Sequence, residues 1–282
     1  MTAPLQQPYW PNGPTRWIKN NTLFVSIPFT WNLPALRVEF EQRDFEYNRI
    51  VVGGPALKLM PGYFSDKNIA EALFYPGVLQ RINPLATRTT IGCPNRCGFC
   101  AVPKTEGAFV ELDDWPDLPI ICDNNLLAAS RKHFDKVCDR LEKHKWSDFN
   151  QGLDARLLTD YHAGRLARLP GCIVRLALDS IKTECVWMEA YESLIAHKFP
   201  KSRIRSYVLC GFESCPSDAW ERCGFIETFG VKALPQWFHP LDALEQNAVL
   251  DCHRKYGWNE REKNRIMGYF YKHRGTPMEF NQ

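Results

Sequence analysis

The chain has 282 residues, 45% of them hydrophobic, which suffices for one large domain or a domain with a smaller partner, and its net charge is only +3. A charge that small neither demands nor excludes a nucleic-acid partner; any basic surface would have to be a local patch. There is no run of about eighteen apolar residues and no signal-peptide pattern at the start, and eleven cysteines are an odd set for a non-secretory chain, so we expect a cytoplasmic protein with no membrane partner, free thiols and a metal site.

The first twenty residues, rich in Pro, Asn and Gln, read as a tail that wraps the surface or is disordered. From Thr22 to Tyr63 an apolar run (TLFVSIPF), a polar stretch ending in RDFEYNRI, and IVVGGPALKLMPG, a buried strand entering a glycine turn, predict a small α/β extension within 1–83. Over 84–245 short apolar runs alternate with helical patterns, the signature of βα units and a parallel sheet or barrel. Strands are expected at 88–92, 119–123, 148–154, 173–179, 204–212 and 233–242, with helices at 126–144, 159–169, 183–198 and 216–230, Thr159 and Ser217 serving as N-caps. An amphipathic helix over 259–273 closes the chain within a C-terminal extension, 246–282.

In such architectures the working residues sit where strands give way to helices. The loop after the first strand, TRTTIGCPNRCGFCAVPKTEG, holds Cys93, Cys97 and Cys100 within eight positions. Structural zinc wants four ligands, usually in two separated pairs, and no second C-x2-C follows. A 4Fe-4S cluster also takes four, but three protein thiolates leave one iron open for a substrate or cofactor.

These three cysteines, with Phe99 just before the last, match the C-x3-C-x-aromatic-C motif, and the chain resembles the radical S-adenosylmethionine (SAM) superfamily. It is most similar to small bacterial and phage members related to the cobalamin-type enzymes. The resemblance spans roughly 50–242. It implies a partial (β/α)6 TIM-like barrel, a 4Fe-4S cluster on Cys93, Cys97 and Cys100, SAM on the open iron, and an external electron donor such as flavodoxin or ferredoxin. It also implies cofactor contacts: Phe99 beside the cluster; Asp123, Asn124 and Asn125 for the methionyl end, where a helix cap is the competing reading; Gln151, Arg175, Asp179 and Ser180 near the mouth; and Gly211 against the adenine. Arg175 reads equally well as a surface-pairing residue. The polar residues left for the substrate are Gln151, Arg156, Glu213 and His239, with Arg156 and His239 as catalytic candidates and a structural His239 as the alternative.

VVGGP at 51–55 resembles the end of a cobalamin-binding domain, but the cobalt-ligating Asp-x-His-x-x-Gly pattern is missing, so cobalamin is not expected. Cys210, Cys215 and Cys223 lack the paired spacing of an auxiliary cluster and read as packing residues. The C-terminal segment YGWNEREKNRIMGYFYKHRG interleaves basic and aromatic residues, which suits phosphates and bases as well as it suits a helix closing a barrel. The expected activity is reductive cleavage of SAM to a 5′-deoxyadenosyl radical and hydrogen abstraction from a nucleobase or nucleotide, giving rearrangement or methylation (isomerase or transferase chemistry). The alternative is an iron-sulfur binding or redox-sensing protein without turnover.

Overall fold

Asn20 and Asn21 both take the left-handed backbone conformation (φ 49° and 53°), the combination a two-residue hairpin turn requires. They join β1 (Thr15–Lys19) to β2 (Thr22–Ser26), an antiparallel pair. Part of the expected N-terminal tail is therefore a strand. This computed structural model describes residues 10, 13–42, 47–64, 69–72 and 77–272. Most of the remaining tail, part of RDFEYNRI and the last residues of the basic-aromatic segment lie outside them.

The described chain divides into two compact units. The first comprises Met1–Ala86, Ala101–Glu106 and Pro240–Gln246. Its sheet has the order β1-β2-β3-β4, where β3 (Arg49–Gly53) runs parallel to both β2 and β4 (Ile69–Ala72). Helices α1 (Leu33–Gln42), α2 (Pro55–Leu59), α3 (Val78–Ile82) and α4 (Val102–Thr105) complete it. Alternating Leu23 and Val25 on β2 and Ile50 and Val52 on β3 meet Leu33, Leu36 and Leu57 in a small core of its own. The expected strand into a glycine turn is present as β3 followed by α2.

The second unit comprises Thr87–Cys100, Gly107–His239 and Asn247–Gln282. Its strands are β5 (Ala86–Thr87, at the unit boundary), β6 (Thr90–Ile91), β7 (Val110–Glu111), β8 (Ile120–Ile121), β9 (Asp148–Phe149), β10 (Val174–Ala177), β11 (Ile204–Cys210) and β12 (Lys232–Trp237). Sheets β5-β8-β9 and β10-β11-β12 are joined by parallel bridges Asp148–Ile173 and Leu153–Leu176. β8 to β12 thus run parallel in chain order. Among the described residues β12 does not pair with β5, and no closed barrel forms. Of the expected first strand, 88–92, Thr90–Ile91 is a strand that pairs antiparallel with β7, while Ala86–Thr87, just before it, joins the sheet of β8 and β9.

Helices α5 (Arg131–Leu141), α6 (Asp160–Arg168), α7 (Glu184–Ala196), α8 (Pro216–Thr228), α9 (Asp251–Arg254) and α10 (Glu260–Lys272) accompany these strands. The buried residues of α5 (Phe134, Val137, Cys138, Leu141) and α7 (Trp187, Ala190, Tyr191, Leu194) recur at three- and four-residue spacing, one face each against the core. α5 starts later than the apolar pattern suggests. Leu126–Ala128 forms a separate 3-10 turn, and Ser130 caps the helix by accepting from the His133 N–H at 3.2 Å. Thr159 caps α6 as expected, whereas the cap of α8 is Cys215: Pro216 takes the first helical position, so Ser217 falls inside the helix. No helix among the described residues is long and apolar enough to cross a membrane.

Candidate functional site

Gly92 opens the cysteine loop with φ 75°, and a Cβ there would sit 2.4 Å from the Ala108 carbonyl oxygen, so a side chain could not be accommodated without moving backbone. The loop then carries Cys93, Cys97 and Cys100, three half-buried thiols outside any disulfide, with the Cys100 N–H donating to the Cys97 carbonyl at 3.0 Å. Among the described residues no three His, Cys, Asp or Glu side chains converge to hold one metal ion. A four-iron cube takes one thiolate on each of three separate iron corners, so three thiolates need not converge on a point to hold one.

Behind the loop stands Asp123, 3% exposed, just past β8. Its carboxylate accepts from the Thr89 N–H (2.6 Å), the Thr90 N–H (2.8 Å) and the Thr89 hydroxyl (2.5 Å). Burial raises its pKa, and those same bonds oppose the rise. Thr89 Oγ1 also meets His133 Nε2 at 3.0 Å, and His133 Nδ1 lies 3.7 Å from Glu111. Three of the acceptor positions of this carboxylate, the group expected at the methionyl end of SAM, are thus used to anchor the strand that feeds the cysteine loop.

Asn125, two residues further on, contacts the cysteine loop directly. It is 2% exposed, and its Nδ2 donates to Cys93 Sγ at 3.6 Å and to Asp154 Oδ2 at 3.1 Å. Its Oδ1 is buried with no hydrogen-bond partner. Nor does it cap the following turn through its side chain. A buried acceptor without a donor costs roughly 1–3 kcal/mol, and a hydrogen-bond donor supplied there would relieve that cost. Asn124 is half-buried.

Asp154 receives Asn95 Nδ2 at 2.9 Å in addition to Asn125, and Arg156 grips it through Nε and Nη2, each at 2.8 Å. Burial pushes the Asp154 carboxyl up, but the Arg156 and Asn95 bonds outweigh it and hold the group below its usual range. The positive charge of Arg156 also acts on the Cys97 thiol. Burial raises the pKa of that thiol; Arg156 opposes the rise, while Cys93 and Asp179 add to it. Arg156, expected on the substrate side, is thus held on a carboxylate that the loop residue Asn95 also contacts, and its side chain is half exposed. Asp179, half-buried just past β10, has its pKa raised by burial, with Arg222 acting against it.

Other expected contacts are engaged elsewhere. Arg175 does point inward and bind a carboxylate in two-pronged fashion, but the carboxylate is the protein's own Asp148, met at 3.0 Å by Nη2 and also contacted by Nη1. Ser180 caps the 3-10 turn Ile181–Thr183 by accepting from the Lys182 N–H. Gly211 has φ 92°, and a Cβ there would come within 3.0–3.1 Å of the Trp237 and His253 rings, so its open face is filled by those rings. His239 Nε2 accepts from the Asn247 N–H at 2.9 Å, which favours its structural reading, and burial lowers its pKa. Gln151 and Glu213 are exposed.

Three residues at the site had no sequence signal. Phe212 packs edge-on against Phe99 (5.4 Å) and against Phe238 (4.9 Å), forming an aromatic wall that continues from the cysteine loop to the ends of β11 and β12. Arg222, 1% exposed on α8, donates to the Leu178 and Leu209 carbonyls at 3.0 and 2.9 Å and ties the ends of β10 and β11 together. The i+4 and i+7 spacing from Asp218 and Cys215 marks Arg222 only as a helix residue, and nothing in it signals burial. Cys210 and Cys223 are fully buried on β11 and α8, consistent with their reading as packing residues. Compared with known proteins, the chain matches no family model and is significantly similar to no curated protein.

Proposed function

We propose that the protein is a radical SAM enzyme whose parallel strands form a partial (β/α)6 barrel and whose cluster rests on Cys93, Cys97 and Cys100. The observation that carries this reading is Asn125: a buried carboxamide whose Nδ2 donates to Cys93 and whose Oδ1 has no hydrogen-bond partner. When bound, the cluster and SAM supply a 5′-deoxyadenosyl radical that abstracts hydrogen from substrate.

The chain's own part is to bind, aim and exclude water. Asn125 Oδ1 would accept an N–H of the methionyl amino group. Asp123, through Thr89 and Thr90, holds the strand before the loop in register. Phe99, Phe212 and Phe238 wall off water and offer ring edges and faces to a planar heteroaromatic group. That wall supports a nucleobase or nucleotide as substrate over a plain hydrocarbon, with exposed Gln151 and Glu213 available to its polar edge. A reduced flavodoxin or ferredoxin is the electron donor.

Iron and sulfide analysis of the anaerobically reconstituted chain tests this reading. About four of each per chain are expected, with loss in Cys97→Ala; a Cys97→Ala chain that kept a full cluster would overturn it.

A further inference from the structure

Strands of a parallel sheet that is covered on both faces read as continuous apolar runs. β11 does not: IRSYVLC alternates buried and half-buried positions along its whole length. Ile204, Ser206, Val208 and Cys210 are buried on the helix side, where Ser206 receives the Trp187 indole of α7, so Arg205, Tyr207 and Leu209 lie on the other, inner face. β12 repeats this, with Ala233, Pro235 and Trp237 buried, Lys232 and Leu234 half-buried and Gln236 exposed. The inner face is therefore not sealed, and the register orders it in rows. Arg175, Arg205 and Lys232 are direct neighbours across the three strands; Ala177, Tyr207 and Leu234 form the next row, and Leu209 and Gln236 the one after.

Three cations side by side form an arrangement that like-charge repulsion opposes. Asp148 neutralises Arg175 through its two-pronged contact, and the charge of Lys232 acts on Glu227 at the end of α8. Arg205 forms no ion pair with a carboxylate among the described residues; its Nη1 donates to the Ser202 and Ile204 carbonyls at 2.6 and 2.8 Å. Burial and then Arg175 lower its pKa, with Asp148 acting against them. The row thus holds more positive charge than its carboxylates offset.

We propose that this inner face receives the substrate, and that the cationic row, Arg205 above all, takes the phosphate of a nucleotide whose base lies towards Phe212 and the cysteine loop. This deepens the nucleobase-or-nucleotide reading above and rests on it. A phosphate brings the negative charge that the row lacks, together with acceptor oxygens for guanidinium donors. Parallel strands rise about 3.3 Å per residue, so the cationic row lies about 13 Å below Leu209 and Gln236, the reach of a mononucleotide laid along the strands. Three residues beyond Leu209, Phe212 meets Phe99 of the cysteine loop, which brings the base end to the aromatic wall.

The test is calorimetric titration of the chain, without cluster or SAM, with adenosine, cytidine, guanosine and uridine and with the 5′-monophosphate of each. At least one monophosphate is expected to bind about tenfold or more tightly than its own nucleoside, a charge-assisted gain, and Arg205→Gln is expected to reduce that advantage to below about threefold. No advantage for any monophosphate in wild type, or the full advantage surviving in Arg205→Gln, overturns the proposal. If Arg205→Gln fails to fold, Lys232→Gln decides by the same criterion. A single-stranded oligonucleotide without terminal phosphates that binds as tightly as the best monophosphate, and weakens equally in the variant, also overturns it, because the row would then serve a nucleic-acid backbone. Formation of 5′-deoxyadenosine is scored separately in wild type, so the phosphate site and the radical reading fail independently.

Discussion

Asp123 and Thr89 are joined twice, the buried carboxylate taking the Thr89 backbone N–H at 2.6 Å and its hydroxyl at 2.5 Å. With Thr90 as a third donor, this ties the end of β8 to the chain that enters the cysteine loop. Asp123→Ala leaves two buried N–H groups unpaired, at roughly 1–3 kcal/mol each. The expected outcome is a loss of about 2–6 kcal/mol in the unfolding free energy of the apo chain, measured in urea. Unchanged stability would return Asp123 to the cofactor site.

Asn125 should behave differently. Its unused Oδ1 already lacks a partner in the apo chain, so Asn125→Ala forfeits only the bonds of Nδ2 on folding. On binding it forfeits the bond to the methionyl amino group, about 0.5–1.5 kcal/mol or roughly two- to tenfold in affinity. Calorimetry of SAM on the reconstituted chain checks this; equal affinities would show that Oδ1 faces no ligand.

Much of this was legible in advance, and the misses share a cause. The apolar runs that became β8 to β12 and the helical spacing of α6, α7 and α10 are local, repetitive signals. The cysteine spacing is also local. What sequence alone did not reveal was commitment: Asp123, Arg175 and His239 are polar residues at strand ends, and only tertiary placement shows that their partners are Thr89, Asp148 and Asn247. The same holds for Phe212, which meets Phe99 across more than a hundred positions of chain and packs against Phe238 in turn. Ser217 lost the capping role to Cys215 because Pro216 fits the first helical turn.

Acid should weaken the fold in part through His253. It is fully buried, its Nδ1 accepts from the Leu250 N–H at 2.9 Å and its Nε2 donates to the Phe238 carbonyl at 3.1 Å, so both nitrogens are committed to the neutral ring. Burial lowers its pKa from the ordinary 6.5, and the cations Lys263 and Arg254 lower it further. Below that value the unfolded chain binds the proton that the folded chain refuses. The contribution is therefore complete above about pH 6.5 and is lost as pH falls towards the folded pKa. Urea unfolding at several pH values between 5 and 7 should show stability rising with pH, with a shallower slope in His253→Gln.

Trp187 anchors the core behind the site. It is fully buried on α7, donates Nε1–H to Ser206 Oγ at 2.9 Å on β11, and stacks on Tyr191 at 5.6 Å. Trp187→Ala should cost about 3–5 kcal/mol, seen as a lower urea midpoint. A loss below about 1 kcal/mol would mean that α7 is packed more loosely than its burial indicates.

The central claim is turnover at the cysteine loop, and the most direct measurement is 5′-deoxyadenosine formed when the reconstituted chain, dithionite and SAM are incubated without oxygen. The account predicts slow formation by wild type even without substrate, and none by Cys97→Ala. A wild-type chain that carries a full, reducible cluster yet forms no 5′-deoxyadenosine would contradict it and identify the protein as an iron-sulfur binding or sensing protein.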